Sequence, residues 1–310
     1  MRAVVLAYSD LGCVCLQALL ELGVEVAAVL THADAPEEAI WFASVARLAA
    51  QRGLPVFTDE QLDTPVWQAR LREWAPDFLF SFYYRRLLPT AVLQTARRGA
   101  LNMHGSLLPR YRGRCPTNWV LIHDERETGV TLHYMVARAD AGDIVAQRRV
   151  PIDDDDTALT VYRKQCAAAG ALLHEIVPQL AAGTAPRRPN DIDAGSYFGG
   201  RTPADGAIDW PADARTIFNL VRAVTHPYPG AFAQWRGRPL FVWRARPTPG
   251  DAGGAAPAPG VVVDIDDEAL VVQTGGGALR LLSLQWNDEA EMPGGAWARA
   301  QGVTKGTVLS

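Results

Sequence analysis

The first thirty residues alternate two apolar runs with one segment of helical character, and this order constrains the fold more than any other feature. Residues 2–8 are almost continuously apolar, as in strands that are buried on both faces. Residues 9–22 carry leucines at helical spacing, Gly23 ends them, and Ser9 or Asp10 is expected to cap their start. A second apolar run follows at 24–31. Because a strand–helix–strand unit closes by a right-handed crossover, the chain is predicted to build an α/β domain around a parallel sheet.

The same alternation continues further along the chain. Helical patterns are predicted at 41–52 and 65–74, and strands at 55–57 and 78–83. Ligands of open parallel sheets bind beyond the carboxyl ends of the strands, so the loops after Thr31, Phe82, Met103 and His133 are expected to converge. The first strand is not followed by G-x-G-x-x-G, and a nicotinamide cofactor is therefore not expected.

The last third of the chain has a different pattern. Residues 181–203 are rich in Pro, Gly, Asn and Asp, which is typical of a linker with little core of its own. A helix at 213–224 is followed by short apolar runs separated by turns, at 231–235, 239–245, 260–265, 269–273 and 278–284. This pattern favours a small β-barrel or sandwich, and 247–260 is predicted to be a surface loop between two of its strands. We therefore expect a larger α/β domain at 1–200 and a C-terminal OB-like domain at 201–310.

Composition excludes several classes of protein. In 310 residues no apolar run approaches the length of about 20 that a membrane-spanning helix needs, so no membrane insertion is expected and the location is predicted to be cytoplasmic. The four cysteines form no C-x-x-C pair and are expected to be reduced thiols. The six histidines show no H-E-x-x-H or H-x-x-x-H spacing, so no metal site is expected. The net charge of −4 counts against a nucleic-acid binder.

Residues 99–113, GALNMHGSLLPRYRG, carry the chemistry that stands out. Asn102 and His104 are two residues apart at the end of a predicted strand, so their side chains share one face. An amide that stabilises an oxyanion beside an imidazole that moves a proton suits acyl transfer. The alternative is a surface Asn next to a structurally satisfied His. Asp140, in a later loop, is a candidate partner that would orient His104, although an acidic residue beside Gly142 is also a common turn former.

Two other segments have a structural and a functional interpretation. The aspartates of 153–156 are predicted to cap a helix from about 157 to 180, with a divalent-ion site as the alternative. Cys115 lies close to Arg112 and Arg114 and could be a nucleophile, but a small buried loop residue is the favoured interpretation.

Four stretches in fixed order, NMHGSLLPRYRG, GVTLHYMVARADAGDIVAQ, RTPADGAIDW and HPYPGAF, resemble the folate-dependent formyltransferase family over nearly the whole chain. The resemblance implies a Rossmann-like formyltransferase fold with a mostly parallel sheet, followed by a small C-terminal β-barrel (OB-like) domain. It implies transfer of a formyl group from 10-formyltetrahydrofolate without a metal, with Asn102, His104 and Asp140 as the catalytic residues.

The resemblance also implies a folate site. Its residues would be Arg86, Leu87, Leu88, Arg114, Val136, Ala137, Arg138, Ala139 and Asp140. Leu87 and Leu88 would flank the flat pteridine ring, and backbone groups of the later loop would bind its polar edge. Three positions depart from the subgroup that this chain most resembles, where His is expected in place of Ser9 and of Arg86, and Ala in place of Cys115.

That subgroup formylates the 4-amine of UDP-4-amino-4-deoxy-L-arabinose, a step of lipid A modification and polymyxin resistance. The resemblance also makes a separately encoded decarboxylase a candidate partner. Three alternatives stay open: a methionyl-tRNA formyltransferase, a formyltetrahydrofolate hydrolase, and a folate-binding subunit without activity. A tRNA enzyme would need basic surfaces. Here the segment HADAPEEAI after the second strand has no Lys or Arg, and the residues from Pro203 onward include nine basic and eleven acidic ones. Binding of tRNA is therefore disfavoured.

Overall fold

The computed structural model describes residues 1–34, 39–58, 60–248 and 257–310. Their contacts divide the chain into two compact units. Unit 1 comprises Met1–Pro116, Glu127–Ile152 and Val161–Gly199, and unit 2 comprises Thr117–Arg126, Asp153–Thr160 and Gly200–Ser310. Two short segments within the predicted 1–200 domain therefore group with the C-terminal residues instead.

The described residues of unit 1 form nine strands. They are β1 (Arg2–Ala7), β2 (Glu25–Thr31), β3 (Val56–Thr58), β4 (Phe78–Phe82), β5 (Gly99–His104), β6 (Arg112–Gly113), β7 (Glu127–Tyr134), β8 (Ile144–Pro151) and β9 (Tyr197–Phe198). Seven of them form one sheet in the order β3-β2-β1-β4-β5-β7-β8, while β6 and β9 pair with each other in parallel. All pairings from β3 to β5 are parallel, which confirms the predicted α/β fold with a mostly parallel sheet.

The strands β7 and β8 depart from the parallel pattern. β7 runs antiparallel to β5, with Leu101 opposite Tyr134 and His104 opposite Thr131, and β8 runs antiparallel to β7. The end of β7 thus lies beside the beginning of β5. The loop after His133 therefore leaves from the opposite edge of the sheet, yet its residue Asp140 reaches the loop after Met103 and accepts a hydrogen bond from the Gly113 amide, so these two loops converge as expected.

The described helices of the N-terminal part include one at each predicted position, 9–22, 41–52, 65–74 and about 157–180. They are α1 (Ser9–Glu21), α2 (Val45–Gln51), α3 (Pro65–Glu73), α4 (Thr90–Leu93), α5 (Pro116–Ile122) and α6 (Ala158–Ala182). The predicted cap of α1 is wrong, because Tyr8 precedes the helix, the Ser9 hydroxyl hydrogen-bonds to Tyr162, and Asp10 accepts from the Ala43 amide. Before α6, Asp156 accepts hydrogen bonds from the Asp153 amide and the Thr160 hydroxyl, so the acidic run forms a turn, but the Thr157 hydroxyl accepts from the Thr160 amide at 3.4 Å, as a helix cap does.

The core of unit 1 explains the continuous apolar run of β1. Val5 belongs to the cluster that packs against α1, α2 and α6, whereas Val4 and Leu6 belong to a second cluster that includes residues of α3 and α4. Successive strand residues point to opposite faces of a sheet. Both faces of β1 are therefore buried, and neither face of the run can be polar.

The described residues of unit 2 form one antiparallel sheet and, of its own, two α-helices. These elements are α7 (Ala214–Val224), β10 (Ala231–Trp235), β11 (Arg238–Thr248), β12 (Val262–Ile265), β13 (Leu270–Gln273), β14 (Ala278–Trp286), β15 (Met292–Pro293) and α8 (Gly294–Gln301). The strand order is β10-β11-β14-β13-β12, with β15 paired to β14. Asp213 caps α7 by accepting from the Thr216 amide at 2.8 Å. This small β domain is the one predicted for the C-terminal third.

Two predicted segments fall partly outside the described residues. They are the acidic insertion, of which 35–38 is not described, and the surface loop 247–260, of which 249–256 is not described. In the part of the chain that the structure describes, no helix is both long and apolar enough to cross a lipid bilayer.

Candidate active site

The predicted pair Asn102 and His104 lies on β5, the last parallel strand of the sheet, near its carboxyl end. Asn102 is opposite His133 of β7, and His104, with 6% of its surface exposed, is opposite Thr131. Because the two residues alternate on one strand, both side chains lie on the same face of the sheet. The structure therefore brings this predicted pair together.

The imidazole of His104 is held at both ring nitrogens. Nε2 lies 2.8 Å from the Tyr111 carbonyl oxygen, which can only accept, so Nε2 carries a proton. Nδ1 lies 3.5 Å from Oδ1 of Asp140. Burial lowers the pKa of His104, while the Asp140 charge and the Tyr111 carbonyl oppose that shift. At neutral pH the ring is thus neutral, with the lone pair on Nδ1.

Asp140, the third predicted residue, comes from the loop between β7 and β8. Its Oδ2 accepts a hydrogen bond of 2.9 Å from the Gly113 amide. Burial on its own raises the pKa of Asp140, but the positive charge that His104 carries when it is protonated, the contact with His133 and the Gly113 amide together hold the pKa well below the usual range for an aspartate. The site therefore contains a charged carboxylate next to a neutral imidazole.

His133 is a site residue that the sequence prediction does not include. Its Nδ1 donates to its neighbour Tyr134's carbonyl at 2.8 Å. Asn102 Nδ2, which can only donate, lies 3.2 Å from His133 Nε2, and Asp140 Oδ1 lies 3.6 Å from the same atom. His133 Nε2 thus lies between Asn102 and Asp140. The antiparallel register of β5 and β7 creates this contact, and spacing along the chain carries no sign of it.

The loop between His104 and β6 is held by two side chains of the neighbouring strands. The Thr131 hydroxyl donates to the Ser106 carbonyl at 2.6 Å and accepts from the Leu108 amide, and Gln147 donates to the Leu108 carbonyl at 2.8 Å. This support fixes the path of the loop that carries the Tyr111 carbonyl to His104.

The loops that follow β2 and β4 meet as expected. The ring of His32 stacks on that of Tyr84 with centroids 4.2 Å apart, and His32 Nε2 accepts from the Arg85 amide at 3.0 Å. These residues lie at the carboxyl edge of the parallel strands, where ligands of such sheets bind.

The predicted folate residues form two segments of unit 1 with different burial. Leu87 is 79% exposed and Val136 is 45% exposed, so both present apolar surface to solvent. Leu88 is only 7% exposed and lies in the apolar cluster that Met135 also contacts. Leu88 is thus a core residue of that cluster, and its contact with the pteridine stays a prediction.

The remaining predicted residues lie mostly at the surface. The side chains of Arg86, Arg114, Ala137 and Arg138 are exposed, and Ala139 is half-buried. The Arg86 guanidinium donates to the Glu60 carbonyl, and the Arg114 amide donates to the Phe198 carbonyl. Cys115 is half-buried with a left-handed backbone at φ 54°. Among the described residues, no group of three or more His, Cys, Asp or Glu is placed to hold a metal ion.

Solved structures with the same fold come from several formyltransferases. The chain is similar to an N-formyltransferase from Helicobacter canadensis in complex with folinic acid and dTDP-3-aminofucose, at 18% identity over 91% of this chain and 99% of that chain, with a TM-score of 0.72. It is also similar to WlaRD, a sugar 3N-formyltransferase determined in the presence of dTDP and 5-N-formyl-THF, at 16% identity over 94% and 99%, with a TM-score of 0.70.

A third structure shares the fold within a longer protein. HypX from Aquifex aeolicus, in complex with tetrahydrofolic acid, is 23% identical over 97% of this chain and 47% of that chain, with a TM-score of 0.64. At these identities the three structures establish a common fold.

Family models give the more direct assignment. The model described as formyl transferase matches residues 2–177, and the model described as formyl transferase, C-terminal domain matches residues 201–302. The first alone covers more than half of the chain, and the two follow each other in the order of the two domains. The chain therefore belongs to the formyl transferase family.

Proposed function

We propose that this enzyme transfers a formyl group from 10-formyltetrahydrofolate to the amine of a nucleotide-linked amino sugar, and that the acceptor is the 4-amine of UDP-4-amino-4-deoxy-L-arabinose. The observation that carries the proposal is the neutral, buried His104 in contact with the charged Asp140, on the same sheet face as Asn102. This set can accept a proton from an attacking amine and can stabilise an oxyanion.

The proposed reaction proceeds by direct attack. The neutral amine nitrogen forms a bond to the formyl carbon, and the Asn102 amide together with protonated His104 stabilises the resulting oxyanion. Nδ1 of His104 takes the proton that the amine nitrogen loses, because Nε2 is already a donor to Tyr111. Asp140 stabilises the imidazolium formed. The bond between the formyl carbon and N10 of the folate then breaks, N10 receives the proton, and the products are the formamide and tetrahydrofolate.

The folate donor fits the described surface of unit 1. Leu87 and Val136 offer exposed apolar side chains, and their chain neighbours Leu88 and Met135 pack in or against the same apolar cluster. A flat pteridine would cover both side chains, and backbone groups of 136–139 would bind its polar edge. The structures with folinic acid, 5-N-formyl-THF and tetrahydrofolic acid support this choice of donor.

Two arguments support the sugar acceptor. The compared formyltransferases include enzymes described with dTDP-3-aminofucose and with dTDP. The motifs AYSDLGC, FSFYYRR, GSLLPRYRGRCPTNWVL and RADAGDIVAQ most resemble the formyltransferase half of the bifunctional polymyxin-resistance protein ArnA, which leads to the uridine-linked arabinose amine and to lipid A modification. The separately encoded decarboxylase partner stays a prediction.

A competition among acceptors tests the proposal. The enzyme is incubated with 10-formyltetrahydrofolate and, in separate reactions, UDP-4-amino-4-deoxy-L-arabinose, dTDP-3-aminofucose, Met-tRNA or no acceptor, and release of tetrahydrofolate is followed. We expect formylation of the uridine sugar, and no product from His104→Ala, which should still bind folate. Formylation of Met-tRNA alone would replace the acceptor with tRNA, and acceptor-independent release of formate would replace transfer with hydrolysis.

A further inference from the structure

Residues 188–198, which we call the return segment, belong to unit 1 and pack against its active-site loops. Arg188 and Ile144 exchange two backbone hydrogen bonds of 2.7 and 2.9 Å beside β8. At the other end of the segment, β9 pairs with β6. The sequence predicts a linker here because the composition is rich in Pro, Asn, Asp and Gly. The backbone is instead paired at both ends of the segment.

The beginning of the return segment contacts the Asp140 backbone. Asn190 Nδ2 donates a hydrogen bond of 3.0 Å to the Asp140 carbonyl. Asp140 has a left-handed backbone with φ 51°, a conformation that costs free energy for any residue with a side chain. Asn190 therefore stabilises a strained turn that aims the Asp140 carboxylate at His104.

The end of the return segment makes a similar contact with the Tyr111 backbone. Ser196 Oγ accepts a hydrogen bond of 2.8 Å from the Tyr111 amide, and the rings of Tyr111 and Phe198 stack with centroids 5.1 Å apart. Tyr111 is also left-handed, with φ 57°. Ser196 therefore stabilises the turn that points the Tyr111 carbonyl at Nε2 of His104.

We propose that Asn190 and Ser196 are positioning residues, which set the two partners of the His104 imidazole, the Asp140 carboxylate at Nδ1 and the Tyr111 carbonyl at Nε2. Each partner group belongs to a residue with a left-handed backbone conformation, and the return segment hydrogen-bonds to both residues. The imidazole is thereby fixed in one orientation and one tautomer before substrate binds. The expected loss of rate in variants of these residues rests on the proposed formyl transfer, whereas the expected loss of a fixed orientation of the His104 ring does not.

Enzyme variants that lose one hydrogen bond each test this role. Asn190→Ala removes the donor to Asp140, and Ser196→Ala removes the acceptor for Tyr111. Misplacement of a catalytic group by a fraction of an ångström lowers the rate without weakening binding, so we expect kcat to fall about tenfold for each, with KM values changed less than about twofold. Ser196→Thr, which retains the hydroxyl, should restore most of the rate.

A matched control comes from the same segment. The exposed Asp191 accepts a hydrogen bond from the Ala194 amide, so the hydrogen bond of its side chain stays within the return segment. Asp191→Ala should leave kcat unchanged. Melting temperatures of all variants show whether the fold is retained. An equal fall of kcat in Asp191→Ala would overturn the positioning role.

A second measurement follows the ring itself. The Nε2 proton of His104 in ¹⁵N-labelled enzyme should give an exchange-protected signal, which we expect to shift or broaden in Asn190→Ala and Ser196→Ala but not in Asp191→Ala. Unaltered signals in both Ala variants would overturn the proposal. This measurement needs no turnover. If the enzyme formylates none of the tested acceptors, the proposed function is refuted, and the signal of the His104 ring still decides the role of the return segment.

Discussion

Replacement of the Asp140 carboxylate by an amide tests the central interaction of the site. Asp140→Asn keeps the size of the side chain and removes the charge that lies 3.5 Å from Nδ1 of His104. Two unit charges at that distance interact by about 5 kcal/mol when the effective dielectric constant is about 20. The imidazolium forms only during the reaction, so the amide should destabilise the transition state more than the bound ground state.

The size of the expected effect follows from how much of that charge exists in the transition state. If about half of the proton is transferred, the lost stabilisation is about 2–3 kcal/mol, which corresponds to a fall in kcat of about a hundredfold. Asp143→Asn is a suitable control, because Asp143 pairs with Arg187 at the surface of the same loop. Steady-state kinetics at pH 7, with both substrates saturating, measures the two variants side by side.

The pH profile gives an independent reading of the same contact. Burial lowers the pKa of His104 from 6.5, so activity should be lost at acidic pH with a midpoint below 6.5, where the ring becomes protonated before substrate binds. The Asp140 charge opposes that lowering, so the midpoint of residual activity in Asp140→Asn should move further toward acid. A fall in kcat of less than threefold, or a midpoint that moves toward alkali, would refute the proposed role of Asp140.

Three further substitutions separate binding, packing and orientation. Leu87→Asp changes an exposed residue, so we expect a KM for 10-formyltetrahydrofolate raised about tenfold with an unchanged melting temperature, and an unchanged KM would remove Leu87 from the folate site. Leu88→Ala opens a cavity in the core and should lower the free energy of unfolding by about 2–5 kcal/mol in denaturant titrations, whereas a loss below 1 kcal/mol would contradict its burial. His133→Phe removes the acceptor that orients Asn102, so kcat should fall about tenfold at constant KM in stopped-flow assays of formyl transfer. An unchanged kcat would show that His133 is only a packing residue.

Much of the fold follows from local patterns. The buried run of β1, the helical spacing of α1 and the aspartate that caps α7 are each encoded within a few residues, and the structure places those elements within a few residues of the predictions. The direction of β7 and the existence of β8 are not encoded locally, because an apolar run has the same periodicity whichever way its neighbour runs.

The same distinction between local and long-range determinants applies to the active site. The spacing of Asn102 and His104 on one strand determined that they share a face, and the loop position of Asp140 made it a candidate partner that the family resemblance then favoured. The tertiary structure alone decided that His133 reaches Asn102, that Tyr111 contributes a backbone carbonyl, and that residues 188–198 hold both partners of His104. The physical reason is that side-chain alternation along one strand is a property of the local backbone, whereas strand direction, strand register and left-handed turns are settled by pairing between segments that are far apart in the chain.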